Sequence, residues 1–380
     1  MSMKIREVRF EDLGAVQALV KVPGWNPPTE MYWRRLWDEN PTMKRLGDDF
    51  GVARGWVIEQ DGVVLGFLAN VFQQFCYRGN LLTAATASSF VVAQEARGFA
   101  LNLAITFAGQ RGVDLLLNTT AAAHVSEIFR FIKFKRMPQP GYGSIYYWVA
   151  DGKGFIAAGL QKLGVPRGVS KVIGFVAGPV LQIVDHFHGR RLAYQPSPGF
   201  TYEIRRLCDI DDEIADLWKS LCKRGDQLTI ARSPEALRWQ LSIRDDSDAA
   251  LICARKDKHL VGYAAIVRAI KPDLGLVRYR LVDLLARNNE SPVIDGLLRA
   301  AFDYAKREGA HILDTQGFNQ SIVGVMLATK PRCQVNQDSP YLFKTNDPAL
   351  AEELERPECW YTSMLDGDTC LEPSPASLPG

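Results

Sequence analysis

The sequence lacks several features that would place it quickly. Its seven cysteines, spread from Cys76 to Cys370, form no Cys-x-x-Cys pair. That spacing argues against a zinc ribbon or a disulfide-stapled domain and reads as reduced thiols. Neither charge is in surplus: 45 Lys plus Arg stand against 43 Asp plus Glu. A dedicated nucleic-acid binder carries a clear basic excess, so no nucleic-acid partner is expected. The G-x-G-x-x-G dinucleotide fingerprint is missing. The opening MSMKIREVRFEDL has no apolar signal-peptide core, and the expectation is a cytoplasmic protein. The longest notable apolar run, Val172–Val184, is interrupted by Gly174, Gly178 and Pro179. It falls short of the roughly 20 residues of a spanning helix and is not read as transmembrane.

What is present is a large apolar fraction, 47%, in a 380-residue chain, enough for two or three packed domains. It also holds an internal repeat. VIEQDGVVLGFLA (Val57–Ala69) resembles CARKDKHLVGYAA (Cys253–Ala265), and RGVDLLLNT (Arg111–Thr119) resembles REGAHILDT (Arg307–Thr315). Asp61 and Asp257, Gly66 and Gly262, and Thr119 and Thr315 are each 196 apart (257 − 61, 262 − 66, 315 − 119). Each copy predicts a strand, a helix, a helix carrying Trp33 or Trp239, a hairpin, a long strand, a helix, a short strand and a small helix. Asp61-Gly62 marks the first hairpin turn. In copy two Ser291 is expected to cap the main helix, with Pro292 in its first turn and Gly309 at its end. Strands alternating with helices predict an α/β (α+β) class.

The stretch VVAQEARGFALNLA (Val91–Ala104) runs from a strand through an Arg-Gly turn into a helix. A helix N-terminus offers free N–H groups and partial positive charge, a seat for phosphate. Gly98 would let a backbone approach closely, Arg97 would add a cation, and the N–H groups of Gly98 through Asn102 could converge on the anion. The competing reading is an ordinary strand-to-helix turn with a surface arginine.

This order, with that stretch and EIFRFIKFKRM (Glu127–Met137), resembles the GNAT acyltransferase family, whose loop usually reads Arg-x-x-Gly-x-Gly/Ala and whose late segment reads Tyr-x-x-x-Gly-Phe. The tandem layout is similar to mycothiol synthase, the peptidoglycan-bridge aminoacyl-ligases and GNAT proteins associated with surface polysaccharide. The resemblance implies two GNAT-like domains, each a mixed, largely antiparallel sheet flanked by helices. They would span 1–150 and 200–371, with an amphipathic helical connector over 151–199 and a disordered tail over 372–380. It implies acetyl-CoA, or another acyl-CoA, as donor and no metal. Binding would fall to Val91, Val92, Arg97, Gly98, Phe99, Ala100, Leu101, Asn102 and Phe129. Ala100 and Asn102 depart from the small residues of the loop, Phe129 stands where a tyrosine often acts as acid, and Lys133 replaces a glycine. In copy two, Val293 and Ile294 stand 196 after Arg97 and Gly98, so only copy one is expected to bind CoA.

Catalytic candidates are sparse. The long strand LLTAATASSFVVA has no carboxylate and no histidine. Ser88 could hold a water or the acceptor, or simply be satisfied in the sheet. His124 is an acid or base, or an exposed helix-start residue. Asp283 faces a shared cleft, or pairs with Arg278 or Arg280. HFH (His186–His188) and DGDT (Asp366–Thr369) lack metal-ligand spacing and read as surface features. The connector could touch a membrane peripherally through 155–192, or form two helices packed between the domains.

The expected activity is acyl transfer to an amine or hydroxyl of a small molecule or sugar precursor. The rivals are a catalytically inactive ligand-binding GNAT fold and an aminoacyl transferase.

Overall fold

The computed structural model describes residues 3–23, 25–47, 51–190, 192–193, 199–225, 227–242, 249–335 and 340–371. The tail expected to be disordered, 372–380, lies outside them. The first half supplies β1 (Lys4–Glu7), β2 (Gly55–Gln60), β3 (Val63–Tyr77), β4 (Asn80–Val92), β5 (Leu115–Asn118), β6 (Lys135–Arg136) and β7 (Ser144–Val149). The second supplies β8 (Phe200–Arg205), β9 (Leu228–Ile230), β10 (Ala249–Lys256), β11 (His259–Lys271), β12 (Leu276–Ala286), β13 (Ile312–Thr315), β14 (Arg332–Val335), β15 (Leu342–Lys344) and β16 (Trp360–Tyr361).

Two mixed sheets result, ordered β1-β2-β3-β4-β5-β15-β6 and β8-β10-β11-β12-β13-β7-β14. β9 and β16 extend the first beside β3. In each path the long strand runs parallel to the short one after it (β4 with β5, β12 with β13), and the other pairs are antiparallel. The halves exchange their late strands. β7 lies between β13 and β14 of the second sheet, and β15 between β5 and β6 of the first. The sheet boundary therefore does not fall at residue 150 of the chain.

The repeat is visible in backbone detail. Asp61 and Asp257 both take positive φ at the hairpin turns. The ladders slip by one residue at corresponding places, between Ile58 and Glu59 and between Ala254 and Arg255. Gly66 and Gly262 sit where space is short: a Cβ would lie 2.6 Å from Ile58 Cδ1 in the first and 2.8 Å from the Leu285 oxygen in the second.

The offset of 196 does not persist. Val92 pairs with Gly66, and Ala286 with Gly262, so the long strands correspond at 194 (286 − 92). Carried forward, that register sets Ser291 and Pro292, not Val293 and Ile294, at the places of Arg97 and Gly98. Val293 and Ile294 are fully buried on the core face of the helix Ser291–Arg307. Ser291 is this helix's first residue rather than its cap, since Glu290 holds the cap position. Gly309 follows the helix end with φ +76°.

The connector forms two helices, Gly152–Lys162 and Arg167–Phe187. The second exceeds the uncharged run because Arg167 through Lys171 also coil. Among the described residues it alone is long and apolar enough to cross a membrane by length and composition.

Candidate active site

β4 and β5 run in parallel only from Ala84 and Leu115 to Thr86 and Leu117. Beyond that β4 continues to Val92 without β5 beside it. Between Phe67 and Ala69 of β3 the ladder slips, so Ser89 and Phe90 together face Leu68, and Ser89 takes φ 54°. An extra residue of this kind bends a strand and frees backbone polar groups.

A cleft of about 490 Å³ opens at this point. Ala87, Ser89 and Phe90 of β4, Asn118 at the end of β5, and Thr120, Ala121 and His124 form one side. Val20, Trp25, Pro27, Pro28 and Tyr32 form the other. The cleft joins apolar walls to a few convergent polar groups, the usual make-up of a small-molecule site.

The Arg97-Gly98 turn takes a form the sequence did not predict. Gln94–Phe99 is already a tight helical turn running into the helix Ala100–Ala108. The Ala100 N–H donates to the Arg97 carbonyl, and the Ala96 N–H to Ala93. Of the N–H groups expected to converge on an anion, from Gly98 through Asn102, that of Ala100 is therefore spent within the chain. Arg97, Gly98 and Asn102 are exposed, while Val92, Phe99, Ala100 and Leu101 are half-buried and Val91 is buried. A Cβ on Gly98 would meet no atom within 4 Å, so packing does not require glycine there.

Phe129 is no part of a binding surface. It is fully buried, with its ring 5.0 Å from Phe134, 6.0 Å from Phe90 and 6.1 Å from Phe107. Its apolar helix stripe made it core.

Asp283 pairs with neither Arg278 nor Arg280, which both bind Asp314. Its carboxylate instead takes both arms of Arg232, at 2.8 and 2.9 Å, and the Tyr263 hydroxyl at 2.6 Å. All three side chains are fully buried. Burial alone would lower the Arg232 pKa, but Asp283 more than offsets it and the net shift is upward. The Tyr263 hydroxyl is held protonated by burial and by the same carboxylate. Asp283 is a locked structural charge.

Ser88 and Asp283 occupy corresponding places, opposite Ala69 and Ala265 of β3 and β11. The buried Ser88 hydroxyl lies near a carboxylate that sequence reading placed on the surface. Asp368 is fully buried, and its oxygens accept from Thr119 Oγ1 at 2.9 Å and from Thr120 Oγ1 at 2.9 and 3.0 Å, with Ser88 alongside. Burial raises its pKa, and these hydroxyls pull against that shift without cancelling it. Asp366, two residues earlier, is also buried; its pKa is pushed up to about 8, chiefly by burial. The segment between them is threaded against the first sheet. Gln73 Nε2 donates to the Leu365 and Gly367 oxygens, and the Gly367 N–H donates to Gln73 Oε1. Gly367 has φ +74°, and a Cβ there would lie 2.0 Å from Thr119 Oγ1.

DGDT is therefore an internal element. Its signal lay in its flanks, Trp360-Tyr361 and Met364-Leu365 before and Cys370-Leu371 after, all buried. Thr120 belongs both to the cleft wall and to the Asp368 cluster, and so connects them. His124 stands exposed on the same wall. Among the described residues no three His, Cys, Asp or Glu side chains gather as a metal site.

No family model and no curated protein matches the sequence. Solved structures do match the fold. A GCN5-related N-acetyltransferase from Anabaena variabilis superposes with TM-score 0.56 at 12% identity, over 91% of this chain and 73% of that one. Another from Kribbella flavida gives TM-score 0.52 at 11% identity, over 90% and 71%. At identities this low the matches show the GNAT fold alone; the repeat of its sheet pattern in the second half is read from this chain's own strands.

Proposed function

On the premise of a tandem GNAT fold, we propose that this chain is an acyl-CoA-dependent acyltransferase, acting in the cytoplasm on an amine or hydroxyl of a small molecule or sugar precursor. The observation that carries the reading is the cleft at the splayed ends of β4 and β5, walled by Thr120 and backed by Asp368. Acetyl-CoA would lie along β4, with its pyrophosphate by Arg97 and Gly98. The acceptor would enter past Trp25 and Tyr32.

In the reaction the acceptor nitrogen attacks the thioester carbonyl carbon. The C–N bond forms, the C–S bond breaks, and CoA leaves as the thiol. The amine proton passes to Thr120 Oγ1 as the threonine proton passes to Asp368. His124, on the cleft wall beside Thr120, is available to protonate the departing sulfur. Asp368 acts through Thr120 and is a positioning group. Its raised pKa brings it nearer neutrality than an ordinary carboxylate, which suits a proton acceptor.

Two observations favour a second reading, a non-catalytic acyl-CoA binder: the Ala100 N–H is already spent within its helix, and Phe129 supplies no acid. Titration with acetyl-CoA and longer acyl-CoAs, followed by thiol release against a panel of amines, separates the two. Turnover is expected to fall at least roughly a hundredfold in Asp368→Asn with acyl-CoA affinity intact. The acid limb of the wild-type pH profile should vanish with it. Binding without thiol release would favour the second reading, and absence of binding would overturn both.

A further inference from the structure

The connector helices pack as a hairpin that is inverted relative to an ordinary surface helix. On Arg167–Phe187 the small residues face inward: Ser170, Gly174 and Gly178, four apart, are buried. A Cβ on Gly174 would lie 2.5 Å from the Lys153 oxygen, and one on Gly178 2.5 Å from the Lys153 nitrogen. The two backbones are in contact, as in the small-residue seams that join helices within lipid.

The large residues face outward. Val169, Val172, Val176, Val180, Ile183 and Phe187 form one stripe at helical spacing and are 51–82% exposed. Single exposed apolar residues need no explanation, but a continuous stripe marks an interaction surface.

The charge pattern selects the partner. Of the chain's 43 acidic residues none lies between Asp151 and Asp185, while Lys153, Lys162, Arg167 and Lys171 do. Lys162, Arg167 and Lys171 are exposed around the hairpin turn beside Leu163, which is 80% exposed. Lys153 Nζ lies 4.4 Å from the centre of the exposed Phe175 ring. The first acid, Asp185, is buried and bound to Arg332 at 2.6 Å, so the outer face of this helix carries no exposed acid of its own.

We propose that this hairpin docks the protein on a lipid bilayer with anionic headgroups. The helix lies in the membrane plane with the valine stripe among the acyl chains and the turn cations at the phosphates. It lies flat because its inner seam is fastened to Gly152–Lys162 and its end is tied to β14 through Arg332. A helix held along one side can bury only the other. A second copy suits the face less well, since it would bring two cationic turns together.

The test is vesicle flotation of the full-length protein, with phosphatidylcholine alone and with 30 mol% phosphatidylserine (about one lipid in three, enough for a polybasic segment to sense). Affinity for the anionic vesicles is expected to be at least roughly tenfold higher and to fall with salt. Val176→Glu with Val180→Glu should abolish flotation on both. Lys162→Glu, Arg167→Glu and Lys171→Glu together should bring anionic binding down about a hundredfold. Acyl-CoA affinity, measured in parallel, should not change in any variant, so failure of this proposal is distinct from failure of the active-site reading. No flotation on either vesicle overturns it. So does a lipid-free dimer that the valine pair dissolves, or binding indifferent to the charge reversals.

Discussion

The two sheets present the same position in two states. Ser88 in the first and Asp283 in the second lie opposite corresponding alanines. The serine leans on Asp368 beside an open cleft, whereas the aspartate is filled in by Arg232 and Tyr263. The lesson concerns space more than residue type. A carboxylate at that position is held in place once a buried arginine grips both its oxygens and no cleft opens beside it. The open side borrows its carboxylate from a segment almost 250 residues away in sequence, as the Thr119–Asp368 separation of 249 records.

The largest test of this contrast is pH. Asp366 faces Arg232 and Asp283 on the filled side and keeps its proton up to about pH 8. Its unfolded value is near 3.8, so stability is fully present below pH 4 and is lost as pH rises through 8. At about 1.4 kcal/mol per unit the loss reaches up to roughly 6 kcal/mol. Asp366→Asn should therefore gain most over wild type at pH 8–9 and least near pH 4 in denaturant titrations. An equal gap at both ends would refute the assignment.

Next in size, Asp283→Ala strands the buried Arg232 and should cost about 3–5 kcal/mol. Acyl-CoA affinity of the folded protein should hold. Lost affinity at unchanged stability would mean that the second half carries chemistry after all.

The two helix starts give a third comparison. Arg97→Ala and Gly98→Val should weaken acyl-CoA binding about ten- to a hundredfold, equivalent to about 1.5–3 kcal/mol per lost charged contact. Neither should shift the melting temperature, because the Gly98 Cβ has open space. Ile294→Ala should do the reverse, removing about 2–5 kcal/mol of stability while calorimetry still finds one site.

The smallest effect sits at the hairpin turns. Lys258 (φ 68°) holds in the second copy the place Gly62 (φ 83°) holds in the first. Lys258→Gly should relieve the left-handed strain and add up to about 1 kcal/mol, readable as a small rise in denaturation midpoint.

Much of the frame was legible in the sequence because it rests on local signals. Asp61-Gly62 set a turn, Gly66 and Gly262 marked the repeat, and Gly309 ended a helix. Strand exchange was not legible, since nothing local distinguishes a strand that returns to its own sheet from one that crosses. The Arg97-Gly98 motif located a strand-to-helix turn but not its hydrogen bonding. The acid behind the cleft was missed for a different reason. Asp-Gly-Asp-Thr resembles a surface loop until Gln73, Thr119 and Thr120 are there to receive it.

The exchanged strands also set a timetable for synthesis. β5 ends at Asn118, and its neighbour β15 begins only at Leu342. At about 5–20 residues per second, the ribosome needs roughly 10–45 s to deliver the missing strand. Through that interval the first sheet has an open edge at β5. The nascent chain is exposed to wrong strand pairing for longer than either half would be alone, so the yield of folded protein should depend on translation speed and on chaperones that cover such edges.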